Sequence, residues 1–146
     1  MQAALRLTDG ALRKATRRLE VRCAEGLPPA RGDAQRIEQV VVNLLLNACQ
    51  ALPDPGRGLA VSTGWDPARR VVRLVVADQG QGIQPEHLPR LTDPFFTTKR
   101  DSGGTGLGLS VSAGIVREHG GTLEFASTPG AGTTVTVSLP MAGGPP

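Results

Sequence analysis

The order of hydrophobic periods along this chain predicts an α+β fold, a layer of helices on one face of a mixed sheet. Three observations carry that reading. "AQRIEQVVVNLLLNACQALP" (34–53) repeats apolar residues at helical spacing, and "GLAVSTGW" and "RVVRLVVAD" are two apolar runs joined by the turn residues "DPAR". A second helical stretch, "LGLSVSAGIVREHGG" (107–121), then leads into "TLEFAS", the turn "TPGAG" and "TTVTVSLP", a final hairpin.

The elements follow in order. Residues 3–16 are weakly helical, a lead-in (1–16) to a domain expected over 17–140. "RRLEVRC" alternates, with Leu19, Val21 and Cys23 on one face and Arg18, Glu20 and Arg22 on the other, which predicts a half-buried strand. "EGLPPARGD" is turn chemistry, and Asp33 is placed to cap the helix that ends at Pro53. "RVVRLVVAD" is almost continuously apolar and is expected at the centre of its sheet. From Gln79 to about Gly106 no period survives, and a connection this long is functional or disordered. Gly120 and Gly121 close the last helix, and "MAGGPP" (141–146) is expected to be a disordered tail. No internal repeat is present.

At 146 residues, 39% hydrophobic and 20% charged, the chain has the size and composition of one globular domain. Its apolar runs are far shorter than the ~20 residues of a membrane span, and neither membrane contact nor a signal peptide is expected. The net charge is +3, with basic residues gathered mainly in "LRKATRRLEVR". No aromatic residues interleave them, so nucleic-acid binding is not expected. Cys23 and Cys49 lack CxxC spacing and a histidine pair, which argues against a zinc site or a disulfide framework. Both are expected to be small buried apolar residues in a reducing compartment.

Two features carry chemistry. On the first long helix Arg36, Gln39, Asn43, Asn47 and Gln50 fall three, four, four and three residues apart, on one face. The stripe is either the wet side of an amphipathic helix or a working surface. A merely wet face favours Lys and Glu, whereas interior Asn costs a few tenths of a kcal/mol or more relative to Ala. Amide oxygens one turn apart suit a hard cation such as Mg²⁺, which takes few protein ligands and keeps its waters and phosphate oxygens. Glu38 lies about 140° around the helix from Asn43 and is a poor general base.

The second feature is Asp78, at the end of the apolar strand and followed by Gly80 and Gly82. A strand-ending turn would use the same residues. So would a site in which the carboxylate accepts from the exocyclic amine of adenine while glycines let the backbone pass close to the base. Standard nucleotide loops are excluded: no Gly-Lys dipeptide exists for a P-loop, and neither "GQGIQP" nor "GTGLGL" completes GxGxxG.

In order and spacing, "NLLLNACQAL", "DQGQGI", "DPFFTTK" and "GGTGLGLS" resemble the N, G1, F and G2 boxes of the ATP-binding domain of sensor histidine kinases. That family is part of the superfamily of gyrase B, Hsp90 and MutL. "PFFTTK", "GTGLGLS" and "GIVREHGG" look most like the nitrogen-regulation class. The resemblance runs from about Leu19 to Pro140 and implies a Bergerat-type fold, a two-layer sandwich of helices on a mixed, mainly antiparallel sheet with a long ATP lid.

By that match Asp78 would contact the adenine amine, with Gly80, Gly82 and Ile83 around the base. Asn47 would bind Mg²⁺, with Asn43 beside it at the phosphates. Thr98 and Lys99 would serve the phosphate side of the lid, and Lys99 and Asn43 would act on the transferring group. Gly104, Gly106 and Gly108, with the backbone of Thr105, Leu107 and Leu109, would cradle the β- and γ-phosphates, while Phe95 and Phe96 would anchor the lid. Hydrolytic members of the superfamily carry a glutamate one turn before the magnesium asparagine, where this chain has Asn43.

The resemblance thus implies a protein histidine kinase catalytic domain in the cytoplasm, using ATP and Mg²⁺ and holding the nucleotide without rapid hydrolysis. The acceptor would be a histidine on a separate dimerisation domain, with a response regulator downstream. Neither His87 in "PEHLPR" nor His119 in "REHGGT" fits as acceptor, so the dimerisation domain is expected on a longer parent or another polypeptide. The isolated domain is expected to be monomeric. A serine kinase or anti-sigma type, or a regulatory ATP-binding module of the same superfamily, is the alternative.

Overall fold

A computed structural model describes residues 2–26, 30, 32–83, 85–86 and 108–141. Its elements run α1 (Gln2–Leu7), α2 (Asp9–Ala15), β1 (Arg18–Arg22), α3 (Ala34–Ala51), β2 (Gly58–Asp66), β3 (Val71–Asp78), α4 (Gly108–Glu118), β4 (Thr122–Thr128) and β5 (Gly132–Pro140). The strands form one five-stranded sheet in the order β1-β2-β3-β5-β4. β1 and β2 are parallel and every other pair is antiparallel. A parallel pair needs a long crossover, and α3 supplies it between β1 and β2. The sheet is therefore mixed for a local reason, and β3 is central as its apolar run predicts.

Period two along β3 and β5 sorts side chains onto two faces. Leu74, Val76, Val135, Val137 and Leu139 are buried against the helices, joined by Leu59 and Val61 of β2. From α3 come Val40, Val41, Leu44, Leu45 and Ala48, and from α4 Ile115 and Val116. Each fully buried Leu or Val contributes about 1.5–3 kcal/mol. These residues form one core, and it lies between the helix layer and the sheet.

Local chemistry sets the helix ends. The Asp33 carboxylate accepts the Gln35 N–H at 2.9 Å and the Arg36 N–H at 3.3 Å, capping α3. α3 stops at Leu52, extended at φ −77° and ψ 124°, as a residue before proline must be. Gly120, at φ 74°, donates to Arg117 O while Gly121 donates to Val116 O, a Schellman close to α4.

Three sequence expectations change. The lead-in is not one weak helix but two, broken at Thr8, and it buries Ala4 and Leu12 in the same core as α3. β1 is not half-buried: every residue is exposed, Leu19 at 42% and Val21 at 41%. Alternation predicted a face to bury, but β1 is an edge strand and, among the described residues, no helix covers that edge. For the same reason Cys23 is exposed, not buried. Cys49 packs half-buried against the core, and burial pushes its thiol up from the ordinary value. Among the described residues, no helix is long and apolar enough to cross a membrane.

Candidate functional site

Asp78 ends β3 paired with Leu59 on one side and Thr133 on the other, and is itself buried. Its Oδ1 accepts the Gly80 N–H at 2.9 Å, so the loop that follows fixes the carboxylate's orientation. Gly80 reaches that position only because it has no side chain. A Cβ there would sit 2.5 Å from Ala51 O and 2.7 Å from Asp78 Oδ1. At Gly82, φ is 74° and a Cβ would collide with the Thr128 carbonyl.

The loop is clamped from both sides. Gln81 N donates to Ala51 O at the end of α3, and Gly130 N donates to Gln81 O from the β4–β5 turn. Ile83 N donates to Ser127 Oγ at 2.7 Å, and Ser127 Oγ in turn pairs with Thr133 Oγ1 at 2.9 Å. The DxGxG stretch is thus more than a strand-ending turn. It seals the end of α3 to the sheet.

One turn before Ala51 on α3 is Asn47, and one turn further back is Asn43, about 6 Å apart along the axis. Both are half-buried, whereas Gln39 and Gln50 of the same stripe are exposed. The stripe faces α4. Asn43 Nδ2 donates to Ser112 Oγ at 3.3 Å, and Arg36 forms an ion pair with Glu118. Asp33 N donates to His119 Nε2 at 3.1 Å, and His119 Nδ1 lies 2.7 Å from Ile115 O. Low-numbered residues of α3 therefore meet high-numbered residues of α4, and the helices run antiparallel. One turn back from Ser112 is Gly108, which that register sets opposite Asn47. The positive end of the α4 dipole thus lies beside the asparagine pair, where an anion is favoured.

Of the residues singled out in the sequence, Asp78, Gly80, Gly82 and Ile83 lie together at the end of β3 and in the loop that contacts the last residue of α3, while Asn47 and Asn43 lie one and two turns further back on that helix. Gly108 opens α4, and Leu109 is half-buried against the core. Thr98, Lys99, Gly104, Thr105, Gly106 and Leu107 lie outside the described residues, as do His87, Phe95, Phe96 and residues 142–146. His119 is a tie between α4 and the start of α3.

Sequence reasoning missed Thr133, Ser127 and Ser112. Two were legible by phase: Thr133 alternates with the inward Val135 and Val137, and Ser112 sits three and four residues before the buried Ile115 and Val116. A hydroxyl at a core-facing position is the signal.

The amide oxygens of Asn43 and Asn47 are neutral hard donors beside a helix N-terminus. That set fits a magnesium ion sharing its shell with phosphate oxygens.

The family described as histidine kinase-, DNA gyrase B- and HSP90-like ATPase matches residues 32–143. The sensor histidine kinase ZraS of Escherichia coli is 42% identical over 115 residues, which is 79% of this chain and 24% of that protein. The chain spans about an eighth to a quarter of the length of the curated relatives it matches. Among solved structures, the catalytic domain of histidine kinase ThkA superposes with a TM-score of 0.82 at 28% identity, covering 96% of this chain and 90% of that one. The mycobacterial sensor histidine kinase MprB gives 0.75 at 30% identity, covering 96% and 91%. With its boxes in order, its Asp78 loop sealed to α3 and its α4 N-terminus beside Asn47, the chain belongs to the histidine kinase-, DNA gyrase B- and HSP90-like ATPase family, as a catalytic domain of the sensor histidine kinase kind.

Proposed function

We propose that this ATP-binding domain holds Mg²⁺-ATP between α3, the Asp78 loop and α4, and presents the γ-phosphoryl to a histidine on a separate dimerisation domain. The observation that carries the reading is the antiparallel register of α3 and α4. It sets the α4 N-terminus against Asn47, one turn from the loop that orients Asp78.

Asp78 would accept from the adenine amine through its carboxylate, and guanine, with a carbonyl there, would be disfavoured. Asn47 would hold Mg²⁺ with Asn43 beside it, and the metal would neutralise charge between the β- and γ-phosphates. Gly104, Gly106 and Gly108 would direct backbone N–H groups at the phosphates, with Thr98 and Lys99 on the lid side. Phosphoryl transfer asks mainly for positioning and charge stabilisation. Asn43 stands where a water-activating carboxylate would be needed, so the site holds ATP for transfer in preference to hydrolysis. On this reading the domain would work in the cytoplasm, be a monomer in isolation and act upstream of a response regulator.

Calorimetric titration with ATP and Mg²⁺ tests the site, and mixing with a histidine-bearing dimerisation domain of the parent kinase tests the transfer. An acid-labile phosphoprotein is expected. An acid-stable product would favour a serine kinase of the same superfamily, and steady hydrolysis by the chain alone, faster than about a few turnovers per minute, would overturn the reading.

A further inference from the structure

We infer that Ser127 is a positioning residue for the loop after Asp78, its hydroxyl oxygen holding Gly82 and Ile83 at the base end of the site; this rests on the reading of the site given above. Ser127 is opposite Thr133 in the β4–β5 pairing, and Thr133 is opposite Asp78 in the β5–β3 pairing. Directly paired residues share a face, so the three form one polar row across three neighbouring strands. One end of the row is Asp78 and the other is Ser127. From that far end Ser127 Oγ accepts the Ile83 N–H at 2.7 Å, so the row closes onto the Asp78 loop and not onto the asparagines of α3.

A serine hydroxyl has one hydrogen to give and two lone pairs to accept with, and Ser127 uses all three. Its hydrogen goes to Gly132 O at 3.0 Å. With that hydrogen spent, the 2.9 Å pair with Thr133 runs from the Thr133 hydroxyl to Ser127 Oγ. The oxygen thus takes two donors, Ile83 N–H and Thr133 O–H, and turning the hydroxyl toward a new partner would forfeit an existing one. The same hairpin holds the loop at two other places: Gly130 N donates to Gln81 O at 2.6 Å, and the Thr128 carbonyl lies where a Cβ on Gly82 would have to go. Those two are backbone contacts. The Ser127 bond is the one of the three made by a side chain, and it can be deleted alone. Ser127→Ala leaves the Ile83 N–H and the Thr133 hydroxyl without their acceptor at almost unchanged volume, whereas Ser127→Thr keeps the oxygen on a residue suited to a strand.

Two arms keep this inference separable from the function it rests on. In the nucleotide-free chain, NMR is expected to show slow hydrogen exchange at the Ile83 amide, faster exchange in Ser127→Ala and slow exchange again in Ser127→Thr. An Ile83 amide that exchanges alike in all three would overturn the inference whatever the chain binds. In calorimetry, Ser127→Ala is expected to weaken Mg²⁺-ATP and metal-free ADP by the same factor, about three- to tenfold, the span of one hydrogen bond. Both nucleotides carry the base and only one carries the metal, so an effect at the base end is shared. Ser127→Thr is expected to restore both affinities, and failure to do so would mean that the hydroxyl is not the agent. Urea unfolding of the same variants separates positioning from mere support. A loss of stability with both affinities unchanged would overturn the positioning role, and so would a loss confined to Mg²⁺-ATP. If wild-type chain binds neither nucleotide, the functional reading fails and the positioning role fails with it, while the exchange arm still decides the contact.

Discussion

At Asp78 one carboxylate oxygen is spent on the protein itself, accepting the Gly80 N–H at 2.9 Å. A ligand would meet a carboxylate already oriented. Asp78→Asn keeps the shape and an oxygen for Gly80 but puts an NH₂ where an acceptor stood. Opposite an adenine amine, donor would then face donor. Calorimetry is expected to show ATP affinity falling by at least about tenfold, with an unchanged circular dichroism spectrum. Undiminished affinity would refute the adenine assignment. Asp78 and its glycines were visible in the sequence because a carboxylate after an apolar run stands out. Thr133 was legible only as a hydroxyl in phase with Val135 and Val137, and its place beside Asp78 was not, since that comes from the pairing of β5 with β3.

Elements are joined here by backbone approaches that tolerate no side chain. Gly80 seals the loop after β3 against the last turn of α3, and a Cβ would come within 2.5 Å of Ala51 O. That carbonyl, at the end of α3 and already accepting the Gln81 N–H, cannot retreat as a flexible side chain can. Gly80→Ala is expected to lose about 1–3 kcal/mol in urea unfolding, the usual range for overpacking, and to weaken ATP binding by displacing Asp78. If stability is unchanged, the loop is not sealed as described. The α3–α4 contact is of another kind. Its Arg36–Glu118 pair is largely exposed and contributes little, about 0–1 kcal/mol. Its buried partners are Ser112, Ile115 and Val116, and these decide how the two helices meet.

For the whole molecule, one core serves both layers, and the lead-in helices share it through Ala4 and Leu12. Leu44 is among its most buried side chains, at 1% exposure. Leu44→Ala is expected to cost about 2–5 kcal/mol, a large part of the about 5–15 kcal/mol typical of a domain. Mg²⁺-ATP is expected to stabilise wild type and variant alike, with a smaller gain in the variant because Leu44 neighbours Asn43 on α3, which paired urea curves would measure. A loss under about 1 kcal/mol would mean that α3 is not the centre of the core.

Local rules alone determined the long helices, the central strand, the Asp33 cap, the Gly120 close and the candidate positions Asn43, Asn47 and Asp78. Each follows from period, capping or turn chemistry within a few residues. β1 failed that test: "RRLEVRC" has the alternation of a half-buried strand, yet burial depends on what lies beyond the edge of the sheet, and no local rule contains that. The polar stripe of α3 was undecided for the same reason. Only tertiary structure turned it toward α4, set Ser112 against Asn43, and paired Thr133 with Asp78. Those are contacts between residues tens of positions apart, selected by the packing of a shared core.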